Sequence, residues 1–438
     1  MKIYRYPDRN QWAEIVARPH LDTTQLMATV SSVLDDVRQR GDTAVKEYEE
    51  RFDHVKLSSL TVTEEEMAQA ELLVSPELKE SIKLAYRNIH TFHEAQYFTP
   101  IKVETTPGVI CSQRSMPIEK VGLYIPGGTA PLFSTVLMLA TPAQIAGCRE
   151  IVLCTPPTYK PADGTHYSAG IHPAILFAAK VAGVSKIFKA GGVQAIGALA
   201  YGTESIPKVH KIFGPGNQYV MAAKQQVSMG DVAIDMPAGP SEVCVIADET
   251  SNAAFVAADL ISQAEHGIDS QVLFITTDDE MAEKVQREIK LQLEALPRQS
   301  IANQALENSR IVLVANKEEA MDLSNLYAPE HLVIQTSDYM VLARKVVNAG
   351  SVFLGNYACE SAGDYASGTN HTLPTHGYAT AYSGVNLDSY CRKITFQLLT
   401  AEGVRNIGPT VERMAEAEQL QAHKNAMTLR IREVGETN

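Results

Sequence analysis

Between residues 24 and 96 the apolar positions recur at helical spacing. Val30, Val33, Leu34 and Val37 fall at i, i+3, i+4 and i+7, one face of a helix. Thr63 followed by Glu66 is a capping-box signature. Ser75-Pro76 reads as N-cap and first helical residue of a helix reaching about Gln96. Beyond residue 100 the pattern shortens. Lys102–Met116 predicts two strands around a Thr-Pro-Gly turn. Apolar β-branched runs then alternate with helical stretches: VGLYIP at 121, EIVLCTP at 150, KIFKAG at 186 and HKIFGP at 210. A second series follows: EVCVIAD at 242, QVLFITT at 271, RIVLVAN at 310, HLVIQT at 331 and SVFLG at 351. Such alternation predicts parallel α/β sheets. These runs exceed one small sheet, so two doubly wound units are expected, the break falling near Met236–Glu242. Pro156–Pro173 reads as a loop. From about Pro409 the tail reads as one long helix with Val411, Met414, Ala415 and Leu420 on its apolar side.

Composition narrows the function. Of 438 residues, 45% are apolar and 20% charged, which fits a folded chain rather than a disordered one. Lys plus Arg is 38 and Asp plus Glu is 51, a net charge of −13 that would repel a polyanion. Small-molecule chemistry is favoured over nucleic-acid binding. None of the six cysteines forms a C-x-x-C pair, so a thiolate zinc site has no support. The start MKIYRYPDRNQW lacks the apolar core of a signal peptide. The uncharged run Val121–Cys148 carries Pro126, Gly127, Gly128, Pro131 and Pro142 and does not read as a spanning helix. A reducing cytoplasm with free thiols, and no membrane partner, is expected.

Glycine-rich turns accompany several strands: Pro126-Gly127-Gly128, Gly191-Gly192, Gly214-Pro215-Gly216-Asn217 and Gly239-Pro240-Ser241. Each is read as a strand-to-helix handover, the edge where open α/β sheets bind anions such as pyrophosphate. The alternative is that any such turn needs a glycine. A full G-x-G-x-x-G fingerprint is absent: Tyr219 stands where the third glycine belongs. Gln263 and His266, three apart at the end of a helix beginning near Ser251, could share a metal, or His266 could simply lie at a helix C-terminus capped by Gly267. Glu330-His331 before a strand is an acid/base pair or a polar strand start. His90 and His93 read as structural. The polar stretch Glu360–His371, after SVFLG, is expected at the same ligand-binding sheet edge. Glu418 and His423, five apart on the tail helix, do not share a face and could be solvated side chains.

Taken together, VGLYIPGGTAPLFSTVLMLATPAQIAGC, AGGVQAIGALAYGTESIPKVHKIFGPGN, IDMPAGPSEV, LISQAEHG, YAPEHLV, ESAGDYASGTNHTLPT and AEAEQLQAHKNA resemble the histidinol dehydrogenase family, in order and along most of the chain. The loop around Pro156–Pro173 looks longer than the family pattern and falls between motifs. The resemblance implies oxidation of L-histidinol to L-histidine with two NAD+, on two incomplete Rossmann-like units. It implies an N-terminal tail at 1–23, a zinc and catalytic domain of 24–123 with 242–385, an NAD-binding domain at 124–241, and a helical tail at 386–438 exchanged within a homodimer. Zinc, one per subunit, falls to Gln263, His266, Asp364 and His423, and NAD+ to Tyr124, Gln194 and Asn217. Substrate contacts fall to Ser241, Gln263, His266, His331, Asp364, His371, Glu418 and His423. Glu330 and His331 match the proton-transfer residues.

This inventory suits the substrate. The imidazole and amine of histidinol are good zinc donors, and Glu418 could meet the ammonium charge. His331 would accept the hydroxyl proton, and Glu330 would activate water for the second oxidation of a retained aldehyde. A zinc hydrolase using Glu330, and a catalytically idle metal- or nucleotide-binding relative, are the competing readings. A thiol route through Cys111, Cys148 or Cys154 lacks an adjacent base.

Overall fold

The computed structural model describes residues 1–18, 24–127, 130–158, 160, 170–237 and 239–436. Residues 19–23, Gly128 and most of the expected 156–173 loop lie outside them. The described chain forms two compact units, residues 1–95 with 118–389, and residues 96–117 with 390–438. Its strands are β1 (Lys2–Arg5), β2 (Ile101–Thr106), β3 (Val109–Pro117), β4 (Lys120–Tyr124), β5 (Glu150–Thr155), β6 (Lys186–Lys189) and β7 (Lys211–Phe213). They continue with β8 (Ala233–Ile234), β9 (Glu242–Ala247), β10 (Gln271–Thr276), β11 (Arg310–Leu313), β12 (His331–Gln335), β13 (Ser351–Leu354) and β14 (Cys391–Leu399).

The larger unit holds two parallel sheets, ordered β6-β5-β4-β7-β8 and β1-β11-β10-β9-β12-β13. Every apolar run from 121 to 351 is a strand, and the break between sheets falls where the pattern puts it. Apart from the edge strand β1, each sheet is begun in the middle, at β4 and at β9; the chain runs out one way, then returns to the other side. That is the doubly wound order, with a switch point between β4 and β7 and another between β9 and β12. Near-complete burial of β9, β10 and β12 explains their continuous apolar runs. β1 was not expected: part of the stretch read as a tail pairs with β11 as an edge strand.

The N-terminal helices form as the caps indicate. Thr63 and Glu66 make both capping-box bonds, and Ser75 caps the helix Pro76–Glu94. In the helix Thr24–Arg40, Val30, Val33, Leu34 and Val37 join the core that includes Tyr124, Val152 and Leu199. Each such side chain contributes ~1.5–3 kcal/mol on burial. Gly197 permits this approach, because a Cβ there would sit 3.2 Å from Leu34 and 3.3 Å from Val37. The helix Thr24–Arg40 thus packs into the core of the first sheet.

The smaller unit contains the antiparallel sheet β14-β3-β2 and the helices Ala401–Ala417 and Gln421–Glu436. The β2–β3 hairpin is as expected. Two readings of the tail need correction. Residues 386–438 are not wholly helical: Cys391–Leu399 pairs with β3 along nine residues. Nor is there one long helix from Pro409. The first helix starts at Ala401 with Pro409 inside it, and the chain breaks at Glu418–Leu420, with Gln419 at φ 59°. A left-handed residue cannot continue a right-handed helix.

Candidate active site

The first sheet presents its ligand edge at the carboxyl ends of β4, β6 and β7. Tyr124 ends β4 and is buried, and its hydroxyl accepts from the Gly192 N–H at 3.2 Å. Gly191 is the N-cap of the helix Gly192–Tyr201, which carries buried Gln194. Asn217, exposed, caps the helix Gln218–Ser228 through its side-chain oxygen. Gly214 sits at φ 132°, and a Cβ there would meet the Tyr124 carbonyl, so the turn requires glycine. These three expected NAD contacts share one sheet edge. Sequence reading missed Glu49, which accepts from the Gly191 N–H at 2.7 Å and from Gln194 at 2.8 Å. Burial pushes its carboxyl up to about 8. One polar position on an exposed-looking helix gave no signal.

The second site gathers at the opposite edge of the second sheet, the amino ends of β9 and β12. The expectation that Glu360–His371 lies at the carboxyl edge is therefore corrected. After β13 the chain crosses over, and the short helix Glu360–Tyr365 brings Asp364 to the first residue of β12, His331. His331 Nε2 lies 3.5 Å from Asp364 Oδ1, and its Nδ1 lies 3.7 Å from Glu330 Oε2 and 3.3 Å from the Glu242 carbonyl. His371 Nδ1 lies 3.9 Å from the same Asp364 oxygen. The helix Ala253–Ala264 runs back from the end of β9 and delivers Gln263, buried, and then His266, exposed, just past its end. Glu265, not Gly267, is the C-cap. With its amide NH2 turned toward Glu360, Gln263 donates to Oε2 at 2.8 Å and accepts from the Glu242 N–H at 3.2 Å. Ser241, half-buried, immediately precedes β9. Its turn, Gly239–Ser241, leads into a strand rather than a helix, contrary to the reading of all four turns as strand-to-helix handovers.

Glu360 also escaped the sequence reading. Its spacing of four from Asp364 is the signal that could have found it. His266, Glu360 and Asp364 offer ligand atoms all within 4.8 Å of one another. Burial pushes Glu330 up to about 8 and, with repulsion from Asp364 and Glu330, Glu360 well above the carboxylate range. Burial opposes charge on His331, but Glu360, Glu330 and Asp364 outweigh it and hold the imidazole up to about 10. Buried His331 Nε2 and Asp364 Oδ1 have no hydrogen-bond partner among the described residues. One imidazole and two carboxyls within reach of one another, with an unpartnered Asp364 oxygen among them, fit a cation of nitrogen and oxygen preference.

The two edges meet. The helix Phe133–Ala146, which follows β4, places Thr135 Oγ1 3.2 Å from His371 Nε2, and Asn370 donates to the Met138 carbonyl at 2.6 Å. Glu418 and His423 belong to the smaller unit and are both exposed. They flank the helix break rather than sharing one helix. His93 is buried, 3.4 Å from Asn370, in keeping with its structural reading. None of the six cysteines forms a disulfide, and among the described residues no helix is long and apolar enough to cross a membrane.

Comparison with known proteins gives the family. The family model for histidinol dehydrogenase matches residues 16–431. A histidinol dehydrogenase of Bacteroides thetaiotaomicron is 63% identical over 431 residues, covering 98% of this chain and 99% of the relative. One from Bacteroides fragilis is 62% identical over 434 residues, covering 99% of this chain and all of the relative. The crystal structure of histidinol dehydrogenase from Elizabethkingia anophelis superposes with a TM-score of 0.95 at 51% identity, covering 99% of both chains. The chain belongs to the histidinol dehydrogenase family.

Proposed function

We propose that the cluster around His331 and Asp364 is where this chain carries out its family's reaction, the NAD-dependent oxidation of L-histidinol to L-histidine. The observation that carries it is the meeting of the two sheet edges at Thr135 and His371. A hydride donor held at the second sheet would then lie beside a dinucleotide held at the first. The segment 124–241 carries NAD+ through Tyr124, Gln194 and Asn217, and 242–385 carries the acid–base groups. Each of two NAD+ molecules accepts one hydride, the first giving histidinal and the second histidine.

His331 takes the hydroxyl proton. It does so in its neutral form, which a cation offsetting the charge of Glu360 and Asp364 would favour over the imidazolium; with Nδ1 donating to the Glu242 carbonyl, Nε2 is then the accepting nitrogen. Glu330 draws a proton from water for the second oxidation, its carboxyl oriented by the Glu242 N–H. Ser241 and His371 line the substrate. Gln263, His266 and Asp364 would hold zinc, joined by His423. Zinc would fix the imidazole and amine of the substrate. Glu418 meets the ammonium. We further propose that His423 and Glu418 reach the site from a second copy of the chain, making a homodimer with shared sites.

Product stoichiometry tests this reading. Two NADH per histidine formed from histidinol is expected. One NADH with released aldehyde would contradict it, and no NADH at all would favour a hydrolase or an idle relative.

A further inference from the structure

Glu330 and His331 are both held by one residue to which no chemistry falls. Glu242 opens β9; its N–H donates to Glu330 Oε2 at 2.9 Å, and its carbonyl lies 3.3 Å from His331 Nδ1. A single backbone residue therefore aims both proton-transfer groups. Its side chain is in turn fixed by three hydrogen bonds from two partners. Arg18 donates through Nε to Oε1 at 2.5 Å and through Nη2 to Oε2 at 2.8 Å, and the His376 N–H donates to Oε1 at 2.9 Å. Arg18 is itself anchored: Nη2 donates to the Tyr327 carbonyl at 2.6 Å, and the guanidinium lies 4.3 Å from the centre of the Tyr327 ring. Glu242's side chain is 3% exposed and that of Arg18 12%.

A buried ion pair is a poor device for stability, since desolvation offsets its attraction. Fully hydrogen-bonded, it restricts geometry, and a planar fork does so in a way an ammonium cannot. We propose that Arg18 is a positioning residue for proton transfer, clamping Glu242 so that its peptide groups aim Glu330 and His331. This rests on the reading of Glu330 and His331 as the proton-transfer pair. Arg18 lies within 1–23, the stretch that the family resemblance implies is an N-terminal tail.

Arg18→Met and Arg18→Lys are compared with Glu330→Gln and His331→Asn as controls. Rates are expressed per NAD-binding site, counted by titration, so that loss of folded protein does not register. Arg18→Met should lower kcat for both histidinol and histidinal about tenfold or more, with KM for NAD+ within about twofold. The solvent deuterium isotope effect on kcat should rise, because proton transfer becomes slower. Arg18→Lys, which keeps charge but loses the fork, should fall between Arg18→Met and the unaltered enzyme. If Arg18→Met does not fold, Arg18→Lys decides alone. Unchanged kcat per site and an unchanged isotope effect, with both controls impaired, would overturn the inference and leave the proton-transfer reading standing. Unimpaired controls would remove that reading and the inference with it.

Discussion

Glu330 is a carboxyl with one firm hydrogen bond, from the Glu242 N–H, in a fully buried setting beside His331. Its amide counterpart would keep shape and lose proton affinity. Glu330→Gln should therefore spare the first oxidation, which needs no water, more than the second. Histidinal supplied directly should be oxidised on the order of 10²–10⁴-fold more slowly. If histidinal oxidation were unchanged while histidinol oxidation collapsed, Glu330 would have the wrong role. Sequence spacing could pair Glu330 with His331 because they are adjacent. It could not pair His331 with Asp364, 33 residues later, because that contact depends on the crossover after β13.

At the scale of elements, strand ends are tied together by single side chains. Asp248, just past β9 and fully buried, accepts from the Ser337 N–H beyond β12 at 3.0 Å and from Thr250 N–H at 3.0 Å. It pairs with Lys317 at 2.7 Å, the first residue of the helix Lys317–Tyr327. Burial works against its charge, but Lys317, Thr250 and Ser337 prevail and hold the carboxyl down at about 2, against an ordinary 3.8. A depressed carboxyl contributes stability that is fully present above its unfolded value and lost as pH falls through its folded value. The contribution should be intact above about pH 4 and fade toward pH 2. Asp248→Asn should accordingly melt below the unaltered protein at pH 6, with the gap narrowing on acidification. A gap constant from pH 6 to pH 3 would show that the ionised carboxylate contributes nothing. The capping boxes and apolar stripes of these elements were legible locally, whereas β1 and β14 were not. β1 has only four residues and both strands are largely exposed, so they lack the apolar pattern that marks a buried strand.

For the whole molecule, Glu418 and His423 belong to the smaller unit and the remaining site residues to the larger, which sets the question of assembly. Mixing subunits answers it. His331→Asn and His423→Ala proteins, each inactive alone, are unfolded and refolded together. If His423 acts on a second copy, one site of each heterodimer receives both lesions and the other none. Activity should then return to about a quarter of the unaltered value for random pairing of two-fold dimers. A mixture that stays dead, with heterodimers present, would place His423 in its own subunit's site and refute exchange.

The sequence by itself determined the buried strands of both sheets, their parallel class, the caps of the N-terminal helices and, through long ordered motifs, the family. Those features are written in neighbouring residues: buried parallel strands need continuous apolar runs, and helix ends need donors and acceptors within three positions. Tertiary structure alone decided where the candidate residues of the second sheet gather. The expected NAD+ contacts Tyr124, Gln194 and Asn217 lie at carboxyl ends of the first sheet, while His331 and Glu242 stand at amino ends of the second. The helix Ala253–Ala264 and the crossover after β13 return Gln263, His266 and Asp364 to that edge. It also decided that Glu360, Glu242 and Arg18 surround the pair, and that Thr135 joins the two layers at His371. Such meetings bring together residues tens to hundreds of positions apart, and they are set by the handedness of crossovers and the packing of helices, which no local spacing records.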